Sequence, residues 1–290
     1  VLSRFARERV TVALGGDGGD ELFAGYPMHQ AHRVAGAARA MPAPALRLAA
    51  AAARMLPVSH GNFTFAFRAA TFLRGAPAAP PLNHALWMSS FPPAAHADLL
   101  TSDVMAAAND HDPLDSFRRS WQESDGAPLL ARATHLDATT YLPNDILTKV
   151  DRASMSVALE VRAPLLARDV VEFAFSLPDS YRMRGLRGKR ILRDAVRDLL
   201  PAAILTRPKK GFGMPVGVWL NGSLRDLTND LLGPDAVRTA GLFQPSAVAR
   251  LLDEHRRRVN DHRKPLWTLL ILELWRRSHI GSHVPDAAHR

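Results

Sequence analysis

Residues Val10–Tyr26 read V-T-V-A-L-G-G-D-G-G-D-E-L-F-A-G-Y. The first five form a short apolar, β-branched run, the pattern of a buried strand. Gly15, Gly16, Gly18 and Gly19 follow at once. Without Cβ atoms they let the chain turn tightly and let a ligand approach the backbone amides. Asp20 and Glu21 then stand where a helix's first turn favours negative charge. Strand, glycine loop and helix start in that order predict an α/β ligand site at the carboxyl end of a strand. The acids constrain the ligand. A bare carboxylate repels phosphate, so Asp17 and Asp20 point to a bridging Mg²⁺, or to a cationic or hydroxyl group. An acid-capped helix after a flexible turn satisfies the same pattern.

One strand cannot satisfy its own backbone groups, and no comparable set of strands follows Leu14. Its partners are therefore expected on the N-terminal side, in a longer chain of which this is the downstream part. The rest reads helical. Ile191, Leu192, Ala195, Val196, Leu199 and Leu200 share a face at helical spacing, and Leu266–Trp275 is a second strongly apolar helix. Pro42, Pro44 and Pro57 break the first alanine-rich region. Gly75–Pro81, Gly185–Gly188 and Pro208–Pro215 are loop regions. No repeat and no clear domain linker stands out.

The 290 residues carry 37 Lys and Arg against 28 Asp and Glu, a formal charge of +9. Arginine supplies nearly all of the excess and is scattered among acids, so the charge does not outline a nucleic-acid surface. Zero cysteine excludes a disulfide framework, a thiolate metal site and a cysteine nucleophile within these residues. No apolar run reaches the roughly 20 residues of a membrane span, and the N-terminal residues are not a signal peptide. A cytoplasmic protein is expected. The histidines show no metal-ligand spacing, and His255 and His262 are expected to be solvated.

The Gly15–Tyr26 segment resembles the S-G-D-G-G-D-E-L-F-G-G-Y segment of glutamine-dependent asparagine synthetases, departing at Gly15 and Ala24. Both are small-for-small changes. Further motifs follow in family order. Tyr141–Arg162 reads Y-L-P-N-D-I-L-T-K-V-D-R-A-S-M-S-V-A-L-E-V-R; then come S-L-P-D-S-Y, G-K-R-I-L-R, R-P-K-K-G-F-G-M-P and an L-E-L-W ending. The match runs from about Val10 to Trp275 and is weakest over Gly75–Asp115. Ala167 stands where the family usually has Asp, a change expected to remove a helix cap or a supporting contact.

The resemblance implies an α/β fold, the adenine-nucleotide α-hydrolase-like (ATP-pyrophosphatase) synthetase domain. Residues 1–290 would be its C-terminal portion, mostly α-helical with a single late sheet strand near residues 10–14. It further implies that Asp20 holds Mg²⁺ on the ATP phosphates. Asp17 would lie beside the activated acyl group, orienting or deprotonating the incoming amine. Lys209 would stabilise charge on the leaving pyrophosphate, with Lys210 and Lys189 also on the phosphate side. Gly15, Gly16 and Gly18 would form the nucleotide loop. Asp145 is read either as a partner of the base or acceptor, or as an i,i+4 surface pair with Lys149. Glu160 and Arg162 are expected to form a buried structural pair.

The implied chemistry adenylates the side-chain carboxylate of aspartate with ATP and then forms the amide with glutamine-derived ammonia. The glutaminase domain with its thiol, and the S-G-G-x-D-S ATP loop, are not among these residues. The fragment alone is therefore expected to be inactive. A homodimer is left open. Two alternatives stand beside this reading: a related amidotransferase or β-lactam-synthetase-like ligase with another acceptor, and a non-catalytic basic helical module that binds RNA or protein.

Overall fold

A computed structural model describes residues 1–61, 64–207 and 213–280. They fall into two compact units. The first comprises Val1–Pro42, Gly75–Ala85 and Pro113–Lys209; the second comprises Ala43–Arg74, Leu86–Asp112 and Lys210–Arg290. No boundary was legible in the sequence because the chain passes between the units several times, so no single linker separates them.

In the first unit the V-T-V-A-L run forms β1 (Val12–Leu14), as its β-branched content predicts. It is not alone. It pairs in parallel with β2 (Glu160–Arg162), in the register Val12↔Glu160, Ala13↔Val161 and Leu14↔Arg162. The reading missed β2 because three residues, with charges at both ends, carry too little pattern. Burial is also less than expected: Leu14 is 74 % exposed and Val12 37 %. The Glu160–Arg162 pair forms at 2.7 Å, but both side chains are more than half exposed. Alternation along β2 turns Val161 inward and both charges outward.

Around this ribbon the unit is helical. The short helix Gly19–Leu22 sends Leu22 and Phe23 into a cluster with Ala174, Val170, Val171, Ile191 and Leu192. Helix Pro27–Arg39 starts with Pro at its first position, where a missing N–H costs nothing. Helix Leu129–Leu136 runs into a π-helix, Asp137–Leu147, and then into helix Thr148–Met155. Pro143 lies inside the π-helix. A proline there has no N–H to give and would clash with the carbonyl four residues back in an α-helix, so the wider i→i+5 turn accommodates it. Asn144 and Thr148 side chains donate to the carbonyls of Thr140 and Pro143. The apolar face predicted to run to Leu200 ends early. Its helix is Arg190–Ala195, with Leu199 at 77 % exposure. Helix Arg168–Ser176 begins at Ala167, whose side chain supplies no capping bond, as that departure implies.

The second unit has its own core of Leu220, Leu231, Leu232, Val248, Leu266 and Leu269 with their neighbours. The predicted apolar helix is Arg263–His279, with Leu266, Leu269, Leu270 and Glu273 buried. Glu273 receives Arg276 and Arg277. His255 corrects the sequence reading: it is 1 % exposed and stacks on His60 at 4.2 Å between ring centroids. His262 is also largely covered and bonds Glu254 at 2.6 Å.

Candidate functional site

The glycine loop leaves β1 and is fastened immediately, the Gly15 amide donating to the Arg162 carbonyl at 2.7 Å. Gly18 then adopts a left-handed φ of +86°, and a Cβ there would lie 2.3 Å from a Leu166 methyl. Only glycine serves both demands. Gly16 is exposed, with nothing within 4 Å of a Cβ position, so its backbone faces open space. Asp17 folds back over the loop: a Cβ on Gly15 would sit 2.7 Å from its Oδ2. The serine that the resembling motif carries at this place would push the Asp17 carboxylate away. Gly15 is thus a substitution that allows a particular Asp17 rotamer.

Asp20 follows on the helix start, and the structure brings Lys189 to it. Lys189 Nζ lies 3.0 Å from Asp20 Oδ1, with both side chains about three-quarters buried or more. The lysine is delivered by close backbone docking. Its amide donates to the Phe23 carbonyl at 2.7 Å. A Cβ on Gly25 would be 2.0 Å from Asp20 Oδ1 and 2.4 Å from the Lys189 stem, so the ion pair needs that glycine. Ala24 and Lys189 both hold left-handed φ, at 55° and 57°. Ala24 is therefore not a neutral exchange for glycine, since an L side chain in this region costs about 1–2 kcal/mol. Strain at Lys189, one partner of the ion pair, and at Ala24, beside Gly25, fits the tendency of strain to gather at functional sites.

A cavity of about 190 Å³ lies against this pair, lined by Gly25, Arg187, Gly188, Lys189, Arg193 and Thr206 among others. Its cations give it positive potential. Arg187 and Arg193 both donate to the Leu205 carbonyl, at 3.0 and 3.2 Å, which sets their guanidinium groups side by side. Burial, then the neighbouring Arg187, lowers the Arg193 pKa. Lys209 and Lys210 lie outside the described residues.

Asp145 lies on the π-helix, exposed, with Lys149 at 3.9 Å, the bland i,i+4 pair of the sequence reading. It has a second neighbour. Tyr141 lies one turn earlier, and its hydroxyl pKa is raised by burial and then by the Asp145 charge. The Tyr141 ring meets Tyr26 edge-on at 5.8 Å, and the Tyr26 hydroxyl donates to buried Glu21 on the loop-exit helix. Burial, followed by Glu21, raises the Tyr26 pKa strongly, so it stays protonated. A chain Asp145–Tyr141–Tyr26–Glu21 thus ties the π-helix to the glycine loop. The sequence reading missed both tyrosines. Each sat in a quoted motif, but an isolated Tyr carries no spacing signal.

Behind Tyr141 lies fully buried Asp137, whose carboxylate binds His29 Nε2 at 2.7 Å and His84 Nε2 at 3.0 Å. In the second unit, His60, His255 and Asp261 cluster within metal-ligand spacing. The imidazoles stack with planes only 21° apart, so their in-plane lone pairs do not converge on one ion. His255 already bonds the Gly217 carbonyl and the His262 amide, and Arg263 occupies Asp261. That cluster is structural.

A strand–glycine-loop–helix unit, an acid–lysine pair and a cavity lined by basic side chains together make a site whose charge suits an anionic ligand. Sequence comparison identifies the family. Residues 1–277 match the asparagine synthase family model, and the chain belongs to that family. It is 32 % identical, over 94 % of its length, to a Mycobacterium tuberculosis protein described as "Putative asparagine synthetase (glutamine-hydrolyzing)". It is 25 % identical to asparagine synthetase (glutamine-hydrolyzing) 1 of Bacillus subtilis over a similar share. A shorter stretch, 42 % of the chain, is 27 % identical to the amidase chry2 of Gibberella zeae. The chain spans about 40 % of the length of the two synthetases. No solved structure matches it. No described helix is long and apolar enough to cross a membrane.

Proposed function

We propose that this chain is the C-terminal portion of the synthetase domain of a glutamine-dependent asparagine synthetase, with an ATP-pyrophosphatase fold completed by residues outside it. The observation that carries the reading is the Asp20–Lys189 pair, set at the end of the glycine loop beside a basic cavity. Partial coverage of the relatives and the exposed apolar side chains of β1 support the larger domain.

On this reading ATP adenylates the aspartate side-chain carboxylate and releases pyrophosphate; ammonia then attacks the acyl-adenylate, giving asparagine and AMP. Backbone amides at Gly16 and Gly18 face the nucleotide, while Gly15, its own amide bonded to Arg162, anchors the loop to the strand. A hard carboxylate oxygen at the mouth of an anion-binding loop suits Mg²⁺, so Asp20 fits as one of its ligands. Mg²⁺ would neutralise charge on the phosphates. Lys189, now paired with Asp20, would be free to bind the phosphates were Asp20 to hold Mg²⁺. Lys209 and Lys210 reinforce the same charge on the leaving pyrophosphate. Asp17 receives a proton from the attacking amine. Asp145, oriented by Tyr141, bounds the acceptor side.

The test is acceptor-dependent pyrophosphate release by the full-length protein with aspartate and a panel of other carboxylates. Release with aspartate, lost in Lys209→Ala, supports the reading. Release only with another carboxylate moves it to a different ligase of this class. Release unchanged in Lys209→Ala refutes the leaving-group assignment.

A further inference from the structure

A buried polar cluster of the first unit has no part in the chemistry above. Asp137 is wholly buried, as are His29, His32 and His84, each at 2 % exposure or less. Burying a carboxylate away from water is expensive, and well-packed apolar residues often serve a core as well or better. The geometry shows what this cluster holds. His29 Nε2 donates to Asp137, while His29 Nδ1 accepts the Tyr26 amide at 3.3 Å, so one imidazole bolts the loop end to the π-helix. His84 Nε2 donates to the second carboxylate oxygen and its Nδ1 meets His32 Nε2 at 3.0 Å. The two rings stack, and His32 stacks in turn on Trp121.

Asp137, Tyr141 and Asp145 lie four residues apart along one side of the same helical segment. The contacts close on themselves. Asp137 binds His29, the His29 ring lies 5.8 Å from the Tyr26 ring, and Tyr26 meets Tyr141 edge-on, one turn beyond Asp137. Asp145 follows Tyr141 one turn further along the same segment. A π-helix interrupted by Pro143 has a weakened hydrogen-bond ladder and needs an external anchor to keep its side chains aimed.

We propose that the buried His29–Asp137–His84 cluster is a positioning device that clamps the π-helix and so aims Tyr141 and Asp145 at the acceptor side of the site. This rests on the ligase reading given above. Asp137, His29 and His84 touch no substrate in it; they act through Tyr26, Tyr141 and Asp145.

The test compares His84→Leu with His84→Gln in the full-length protein. Glutamine places an N–H where the imidazole Nε2–H was, and leucine does not. Two readouts are taken: KM for the acceptor against KM for ATP, and backbone hydrogen exchange of residues 137–147 against helix Arg168–Ser176 of the same unit. His84→Leu is expected to raise acceptor KM about tenfold or more, with ATP KM within about twofold, because a small misplacement of a positioned group carries such penalties. Exchange should accelerate about tenfold in 137–147 alone, and His84→Gln should restore most of both effects. Unchanged values in His84→Leu overturn the clamp. So does exchange that rises equally in both helices, or ATP KM that rises in step with acceptor KM, since either marks general loosening. If the unaltered protein forms no AMP with any carboxylate, the ligase reading falls. Exchange confined to 137–147 would then still support the clamp, and any other exchange pattern would overturn it.

Discussion

Lys189 Nζ lies 3.0 Å from Asp20 Oδ1, so a side chain assigned to ATP phosphates holds one assigned to a metal. The pairing keeps the acid neutralised where it is partly buried. On the proposed reading, a cation at Asp20 and anionic phosphates nearby would favour the lysine's release from the acid.

Removing the ammonium while keeping the stem should therefore hurt twice. Lys189→Met is expected to lower ATP-dependent pyrophosphate release by the full-length protein about 100-fold, the usual scale for losing one positioned charge-stabilising donor. Steady-state kinetics over a Mg²⁺ series checks it. A loss below about threefold would place Lys189 outside the phosphate path.

The strain at Ala24 predicts a gain. At φ 55°, Ala24→Gly relieves an unfavourable left-handed alanine, offset in part by the added freedom of the unfolded chain. A net stabilisation of about 0.5–1 kcal/mol is expected in denaturant titration. Destabilisation would mean that the buried methyl contributes more to packing than its conformation costs.

Ala167 predicts another. Helix Arg168–Ser176 starts with no side-chain cap. Ala167→Asp should supply an acceptor for the first-turn amides and raise stability by about 1 kcal/mol. A thermal melt with no upward shift would show that those amides are already satisfied.

Stability should fall on acidification, in an order the buried groups set. Burial, then His60, lowers the His255 pKa to about 4; burial, then His84, lowers that of His32 to about 3. Both start from an ordinary value of 6.5, so the unfolded chain takes up protons that the native state refuses. Native stability is complete above about pH 6.5 and is lost progressively from there toward pH 3–4, at most about 1.4 kcal/mol per unit for each group. Asp137 adds a later loss. Burial alone would raise its pKa, but His84 and His29 outweigh that and hold it below the usual value, so its contribution disappears only at still lower pH. Denaturant titrations at pH 7, 5 and 4 check the slope. A flat profile would contradict the buried neutral histidines.

How much was legible depended on whether the signal was local. The β1 strand, the loop at Gly15–Gly19 and the Asp20 helix start were readable because their causes lie within a few residues: β-branching, missing Cβ atoms and first-turn acids. The missing cap at Ala167 was one of two consequences that its departure from the resembling family implied. The family followed from the order of several such motifs. The tertiary structure alone decided what comes from far away in the chain. It supplied β2 as the partner of β1 from about 150 residues on, set Lys189 on Asp20, joined Asp145 to Glu21 through two tyrosines, and buried His29 and His84 on Asp137. The outward turn of Glu160 and Arg162, and the burial of His255, belong with these. A side chain's chemistry is written at its own position, but its partner and its burial are set by which distant segment packs against it.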